Sequence, residues 1–392
     1  MTTKLLSKNL HQWLLLLVCF VGTLPSWAEN YTRNNIKYDL NRSTKTATVK
    51  GLEDKSATSA DIRSYVEGCT VTSIGNEAFK YCSSLTSINI PSSVNSIGEN
   101  VFYGCRALTS INIPSSVNSI GGTAFNDCSA LTAFTVDANN PNYCAEGCML
   151  FNKKKTTLIT AFGGQKTYNI PSSVTSIGGS AFRYCSSLTS INIPSSVTSI
   201  GQSAFYASAL NSIDIPSSVT NIGQSAFRYC SSLTSINIPS SVTYIGACAF
   251  EGCRALTSIN IPSSVTSIES SALEDCRALT SINIPNSVTS IESSAFNVCS
   301  ALTSINIPSS VTSIEGSAFS GCSSLTSINI PSSVTSIGYK AFYNCSALTS
   351  INIPSSVTSF GSSAFSGCSA LTSINIPSSV TSIEEKAFSG CI

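Results

Sequence analysis

Leu325 to Ala347 read LTSINIPSSVTSIGYKAFYNCSA, and this 23-residue unit recurs along most of the chain. Its proline returns as Pro91, Pro114, Pro171, Pro194, Pro216, Pro239, Pro262, Pro285, Pro308, Pro331, Pro354 and Pro377. The step is 23 residues, with one 22-residue step ending at Pro216 and one of 57 residues from Pro114 to Pro171. A fixed period of this kind means that each unit buries its apolar residues against its neighbours, so the 392 residues are read as one long solenoid and not as several globular domains.

Within a unit, Ile88 and Ile90 alternate with Ser87 and Asn89, the period of a strand with one buried face. Pro91 ends the strand because it has no N–H to offer a neighbour. Ser92 and Ser93 make a turn, and Val94 to Ile97 add a second short extended piece. After Gly98, the residues Val101, Phe102 and Cys105 fall at helical spacing and predict about one helical turn. Each coil is therefore expected to run strand, turn, extended piece, short helix, giving an α/β solenoid in which parallel strands of successive coils pair. One coil cannot repay its own ordering entropy, so stacking is obligatory.

The ends and the long step differ from this pattern. Residues 1–28 read as a secretory signal peptide, with Lys4 and Lys8 before the apolar stretch Trp13 to Val21 and small residues at Ser26 and Ala28. The apolar stretch is too short to span a membrane and no second one follows, so the mature chain is expected to have no membrane span. Residues 29–68 are more charged and read as an N-terminal cap, with a β-hairpin from Asn35–Leu40 and Thr46–Gly51. The solenoid then occupies 69–392, interrupted at 133–165 by an irregular long repeat whose alternation at Met149–Phe151 and Leu158–Phe162 suggests a hairpin around Lys153, Lys154 and Lys155. The final Ser389-Gly390-Cys391-Ile392 stops in mid-pattern, which leaves that end either guarded by Glu384, Glu385 and Lys386 or in contact with another molecule.

Composition excludes several function classes. The one histidine, His11, lies in the leader, so Ser-His-Asp and Cys-His nucleophiles and histidine-containing zinc sites are excluded from the mature chain. Of 21 basic residues, Lys4 and Lys8 leave with the leader, and the remaining 19 face 20 acidic ones. That balance offers no footprint for nucleic acid. No glycine-rich phosphate loop precedes a helix, and no cofactor is implied.

Seventeen cysteines in an exported chain ordinarily signal disulfides. Here Cys82, Cys105, Cys128, Cys185, Cys230, Cys253, Cys276, Cys299, Cys322, Cys345, Cys368 and Cys391 share one repeat position. Stacked coils set such residues about 4.8 Å apart and pointing the same way, which suits a buried ladder of thiols and not a bridge. Cys69, Cys144, Cys148 and Cys248 lie off the ladder, and Cys144 and Cys148 are near enough in sequence to pair or to remain free.

The pattern L-x-x-I-x-I-P-x-x-V-x-x-I-G-x-x-A-F-x-x-C over residues 70 to 392 resembles the BspA-like class of leucine-rich repeats. The resemblance implies a right-handed superhelix of about thirteen 23-residue coils, with a parallel sheet on one side and short helical turns on the other, secreted or displayed at a surface and linked to adhesion. It carries over no catalytic residue. Departures occur at Leu273, where Phe is usual, and at Ser208, where a shortened coil loses its Cys.

Three sets of residues are candidates for binding. The outward strand position presents Asn237, Asn260, Asn283, Asn306, Asn329 and Asn352, an uncharged column that can bond along itself as a ladder or offer spaced donors and acceptors to a glycan or extended polypeptide. Tyr184, Tyr229, Tyr339 and Tyr343 lie in and around the expected short helix with arginine and lysine nearby, the residue types enriched at binding hot spots. Glu269, Glu292 and Glu315 occupy the usual glycine position in three consecutive coils. Their repulsion is relieved by solvent screening, by raised pKa values or by a cation such as calcium. The expected function is non-enzymatic binding of an extracellular protein or glycan, in adhesion to host matrix or other cells. The alternatives are a self-assembling structural protein and a flat surface that orders ice.

Overall fold

A computed structural model of the chain describes residues 29–391, and the leader read over 1–28 lies outside them. From Cys69 onward the backbone winds into stacked coils of 23 residues joined by two parallel strand ladders. One uses the Ser-Ile-Asn segment, as where Ser327–Asn329 pairs with Ser350–Asn352. The other uses the Ser-Ile pair before the glycine, as in Ser313, Ser336, Ser359 and Ser382. Both pair residues one repeat apart, because any slip would turn the isoleucines outward.

The third side of each coil is not helical, which corrects the helical turn expected there. No helix occurs among the described residues. Alternate amides of this segment bond in different directions: Lys80 and Cys82 donate to Glu77 and Phe79 of their own coil, whereas Phe79 and Tyr81 donate to Val101 and Tyr103 of the next. An α-helix would keep all of these donors to itself. Two left-handed residues per coil enforce the alternation, such as Glu77 (φ 62°) and Tyr81 (φ 59°) in one coil and Lys340 (φ 53°) and Asn344 (φ 56°) in another. The spacing of Val101, Phe102 and Cys105 is therefore that of a tight double turn.

The repeated residues divide by task. The phenylalanines stack face to face from coil to coil, with centroids 5.1–5.5 Å apart from Phe182 through Phe250 and 5.3–5.5 Å from Phe296 through Phe388. At Leu273 the stack is broken, and an apolar cavity of about 10 Å³ opens between Ile245, Phe250, Ile261 and Leu273. The ladder cysteines are free and mostly buried. Most of the thiols donate to the carbonyl of the phenylalanine in the preceding coil, Cys105 to Phe79 at 3.1 Å and Cys253 to Phe227 at 3.2 Å, and Cys299 meets Leu273 in that place at 3.2 Å. Cys144 and Cys148 are also free: the Cys144 thiol turns to the Asn152 carbonyl at 3.3 Å.

Threonine and serine side chains knit the outside. Thr326 Oγ1 donates to the Thr303 carbonyl at 3.4 Å, and the second serine after the proline reaches the valine carbonyl one coil back, Ser196 to Val174 at 2.6 Å. The repeat glycine has ordinary negative-φ or extended backbone but no room for a side chain, since a Cβ on Gly201 would lie 2.7 Å from the amide nitrogen of Gly179. Where glutamate replaces it the response varies: the amide bond to the previous coil lengthens to 3.3 Å at Glu315 and 3.4 Å at Glu384 but stays at 2.9 Å at Glu292, as at Gly338 and Gly361.

At the N-terminal side, Glu29–Arg33, Ile36–Asn41 and Thr46–Leu52 form an antiparallel meander, and the last of these pairs in parallel with Cys69–Ile74. The long repeat folds Tyr143–Glu146, Met149–Asn152 and Thr157–Ala161 into a second antiparallel unit, and Thr157 and Leu158 rejoin the regular ladder at Ser176 and Ile177. Buried Asn140 holds it in place: its Nδ2 donates to the carbonyls of Pro114 and Val117, and its Oδ1 accepts from the amides of Asn142 and Tyr143. Two core clusters meet here, with Met149 and Phe151 in one and Leu150 and Phe162 in the other.

Candidate binding surfaces

The parallel register places Asn237, Asn260, Asn283, Asn306, Asn329 and Asn352 in one exposed column on the strand face. The ladder of amide-to-amide bonds expected along this column is not formed: among the described residues no hydrogen bond joins these side chains, and coil-to-coil bonding falls instead to the neighbouring threonines. The amides remain exposed and unbonded to one another. Ser327, Ile328, Asn329, Ser350, Ile351 and Asn352 line a shallow hollow of about 320 Å³ on this face.

On the turn face the tyrosines are brought together more closely than their spacing suggests. Tyr81, Tyr103, Tyr184, Tyr206 and Tyr229 form a continuous edge-to-face ladder, with successive centroids 5.3, 5.6, 5.4 and 5.5 Å apart. Tyrosine alternates between two adjacent repeat positions, and opposite Tyr81, Tyr184 and Tyr229 the next coil carries the small residues Gly104, Ala207 and Gly252. A Cβ on Gly104 (φ 73°) would lie 2.6 Å from the Tyr81 ring, and one on Gly252 (φ 72°) 2.3 Å from the Tyr229 ring. Tyr103 and Tyr184 touch although another coil separates them, because that coil contributes buried Asn126 beneath them. Its Nδ2 donates to the carbonyls of Ser180 and Arg183, both at 3.3 Å, while its Oδ1 has no partner. Burial, with the Tyr184 hydroxyl alongside, pushes the Tyr103 hydroxyl well above its ordinary pKa.

Cations cover the ladder. The Arg183 guanidinium lies 4.4 Å from the Tyr206 ring centroid and 5.1 Å from that of Tyr184, and Arg228 lies 4.9 Å from that of Tyr229. Arg228 also bonds to Glu251 at 2.6 Å, and the Tyr229 hydroxyl donates to the same carboxylate oxygen at 3.0 Å. Tyr339 and Tyr343 stand apart from this ladder and share Lys340, whose ammonium is 5.0 and 5.1 Å from their rings. The four tyrosines singled out in the sequence thus fall into two separate groups.

The glutamates of the column are not gathered into one cluster. Glu269 accepts from Ser267 Oγ at 2.6 Å, Glu292 and Glu315 are half-exposed, and among the described residues no group of three or more His, Cys, Asp or Glu side chains is placed to hold a metal ion. Carboxylates one coil apart on an outer edge are solvated separately, so nothing draws them to a common centre. Nor is any helix among the described residues long and apolar enough to cross a membrane.

A family model described as a BspA type leucine rich repeat region, in six copies, matches residues 56–165, 160–280 and 266–392. The chain belongs to the BspA-type leucine-rich-repeat family. The BspA-type fold is similar to that of a leucine rich cell surface protein from Faecalibacterium prausnitzii, at 32% identity and TM-score 0.55 over 88% of this chain and 93% of that one. It is also similar to a leucine-rich repeat protein from Bacteroides ovatus (28% identity, TM-score 0.42, 92% of each chain) and to the pneumococcal vaccine antigen PcpA (19% identity, TM-score 0.50, 72% of this chain and 95% of that one). No curated protein gives a significant match. Within this BspA-type array, Lys80, Asn100, Thr123 and Asn126 join the tyrosine face only through stacking, and the one signal of it in the sequence is tyrosine changing place from coil to coil opposite Gly104, Ala207 and Gly252.

Proposed function

We propose that the chain is an exported, surface-associated binding protein with no catalytic role, whose repeat array adheres to an extracellular protein or glycan of a host matrix or of another cell. The leader over residues 1–28 and a right-handed array of about thirteen coils are parts of the same reading. The observation that carries it is the strand-face column: exposed, uncharged amides on a rigid sheet, spaced by the coil repeat and not bonded to one another. Each contact with such a surface is weak, and repetition multiplies it by raising the effective concentration of the next contact. The likeness to a protein described as a cell surface protein, at 32% identity, supports the placement.

The test is to replace Asn283, Asn306 and Asn329 with lysine and to measure adhesion of the array to immobilised matrix proteins and to cells. These side chains are exposed and make no hydrogen bonds that hold the coils, so the thermal melt should stay within a few degrees of the parent. Adhesion should fall at least about tenfold, because loss spreads across a multivalent face. Parent-like adhesion by the folded triple variant would remove the strand face from the account.

A further inference from the structure

The tyrosine ladder carries a second, more selective site. Lys80, Tyr81, Asn100, Tyr103, Thr123 and Arg183 line a cleft of about 310 Å³ on the turn face, at the small end of the range for ligand sites. Two features give it chemical character. Arg106, Arg228, Arg254 and Arg277 of the same turn face all pair with carboxylates, whereas among the described residues Arg183 meets none and lies over aromatic rings alone. Its neighbours in the lining are the Tyr81 and Tyr103 rings, the Asn100 amide, the Thr123 hydroxyl, which donates to Glu99 at 2.7 Å, and Lys80, whose ammonium is paired with Glu77.

An unpaired guanidinium over an aromatic platform suits a ligand that joins a negative group to a flat, weakly apolar ring bearing hydroxyls. A peptide would need an open backbone edge or an apolar pocket. The turn amides of Phe79, Lys80, Tyr81, Cys82, Phe102, Tyr103 and Gly104 are already bonded to their own or the next coil, so no continuous edge is open. We propose that this cleft binds an anionic saccharide, its carboxylate or sulfate on Arg183 and its ring against Tyr81 and Tyr103, with the Asn100 amide hydrogen-bonding its hydroxyls and Thr123 Oγ1 accepting from one of them. The proposal names one ligand class for the binding role above, but it uses a different face of the array.

The experiment is calorimetric titration of the array with a uronate oligosaccharide, a sulfated oligosaccharide, neutral dextran oligosaccharide and poly-glutamate peptide. One or both acidic sugars should bind at least tenfold more tightly than dextran and poly-glutamate, which also tells carboxylate from sulfate recognition. Arg183→Gln and, separately, Tyr81→Ala should each weaken that binding at least tenfold. Tyr81 is 59% exposed, so its loss leaves the fold intact and keeps the test open if Arg183→Gln is poorly folded. No binding of either acidic sugar, equal binding of dextran or poly-glutamate, or parent-like binding by both variants overturns the proposal. The lysine variants of Asn283, Asn306 and Asn329 leave this cleft untouched, so loss of adhesion there with no sugar binding here would retain the first reading and discard this one.

Discussion

Raising the pH from about 9 to 11 is expected to unfold the array in one cooperative step. Burial pushes the thiols of Cys105, Cys185 and Cys322 up to about 12 and that of Cys230 up to about 11, and it holds those of Cys128, Cys253, Cys276 and Cys299 well above the ordinary thiol range. A thiol in the unfolded chain ionises near pH 8.5. Because the folded values are raised, the contribution of these groups is complete below the unfolded value and is lost as pH climbs toward the folded one. Each thiol removes about 1.4 kcal/mol per pH unit in that window, so eight remove roughly 11 kcal/mol per unit. A whole domain has only about 5–15 kcal/mol to lose. Circular dichroism against pH checks this, with a triple Cys253→Ala, Cys276→Ala, Cys299→Ala variant separating thiols from lysine and tyrosine ionisation. The variant should show a shallower alkaline fall. An array unchanged at pH 11, or a variant with the parent's slope, would refute the thiol account.

The second large effect is at the phenylalanine stack. Phe319 is fully buried and stacked on both sides, 5.4 Å from Phe296 and 5.5 Å from Phe342. Phe319→Ala should cost about 3–5 kcal/mol, the range for a large aromatic removed from a packed core. In a solenoid that loss falls on one junction, so the denaturation curve should split into two transitions and not merely shift. Leu273→Phe is the converse change, adding a ring where Phe250 and Phe296 now lack one and filling the adjacent cavity. It should gain about 0.5–1.5 kcal/mol from the restored aromatic contacts. A single unshifted transition in Phe319→Ala would mean that the stack does not couple the coils.

The strands, the buried isoleucines and the unbridged cysteine ladder were legible because a 23-residue period fixes which side chains fall on one another. The turn segment was misread because Val101, Phe102 and Cys105 have the spacing of a helix, and spacing says nothing of where the amides go. Only the stacked coils show Phe79 and Tyr81 donating to the next coil and Lys80 to its own. The asparagine column falls where the period puts it, but its amide ladder does not form, since such ladders need a side-chain alignment that the column lacks. The cleft was not legible at all. It depends on Asn126 sinking under Tyr103 and Tyr184, and nothing near Asn126 in the sequence marks it as different from other variable positions.

At the centre of the account is the division of each repeat into residues that hold the stack and faces left free to bind, with the cysteines wholly on the first side. Counting thiols in protein produced from Glu29 onward, without reductant, tests this most directly. All sixteen cysteines of the described chain are expected to react in guanidinium, and in the native protein only the half-exposed Cys144, Cys148, Cys248 and Cys391 should be reached. Fewer than sixteen on denaturation would reveal disulfides, and ready native reaction of Cys253 or Cys299 would place the ladder outside the core.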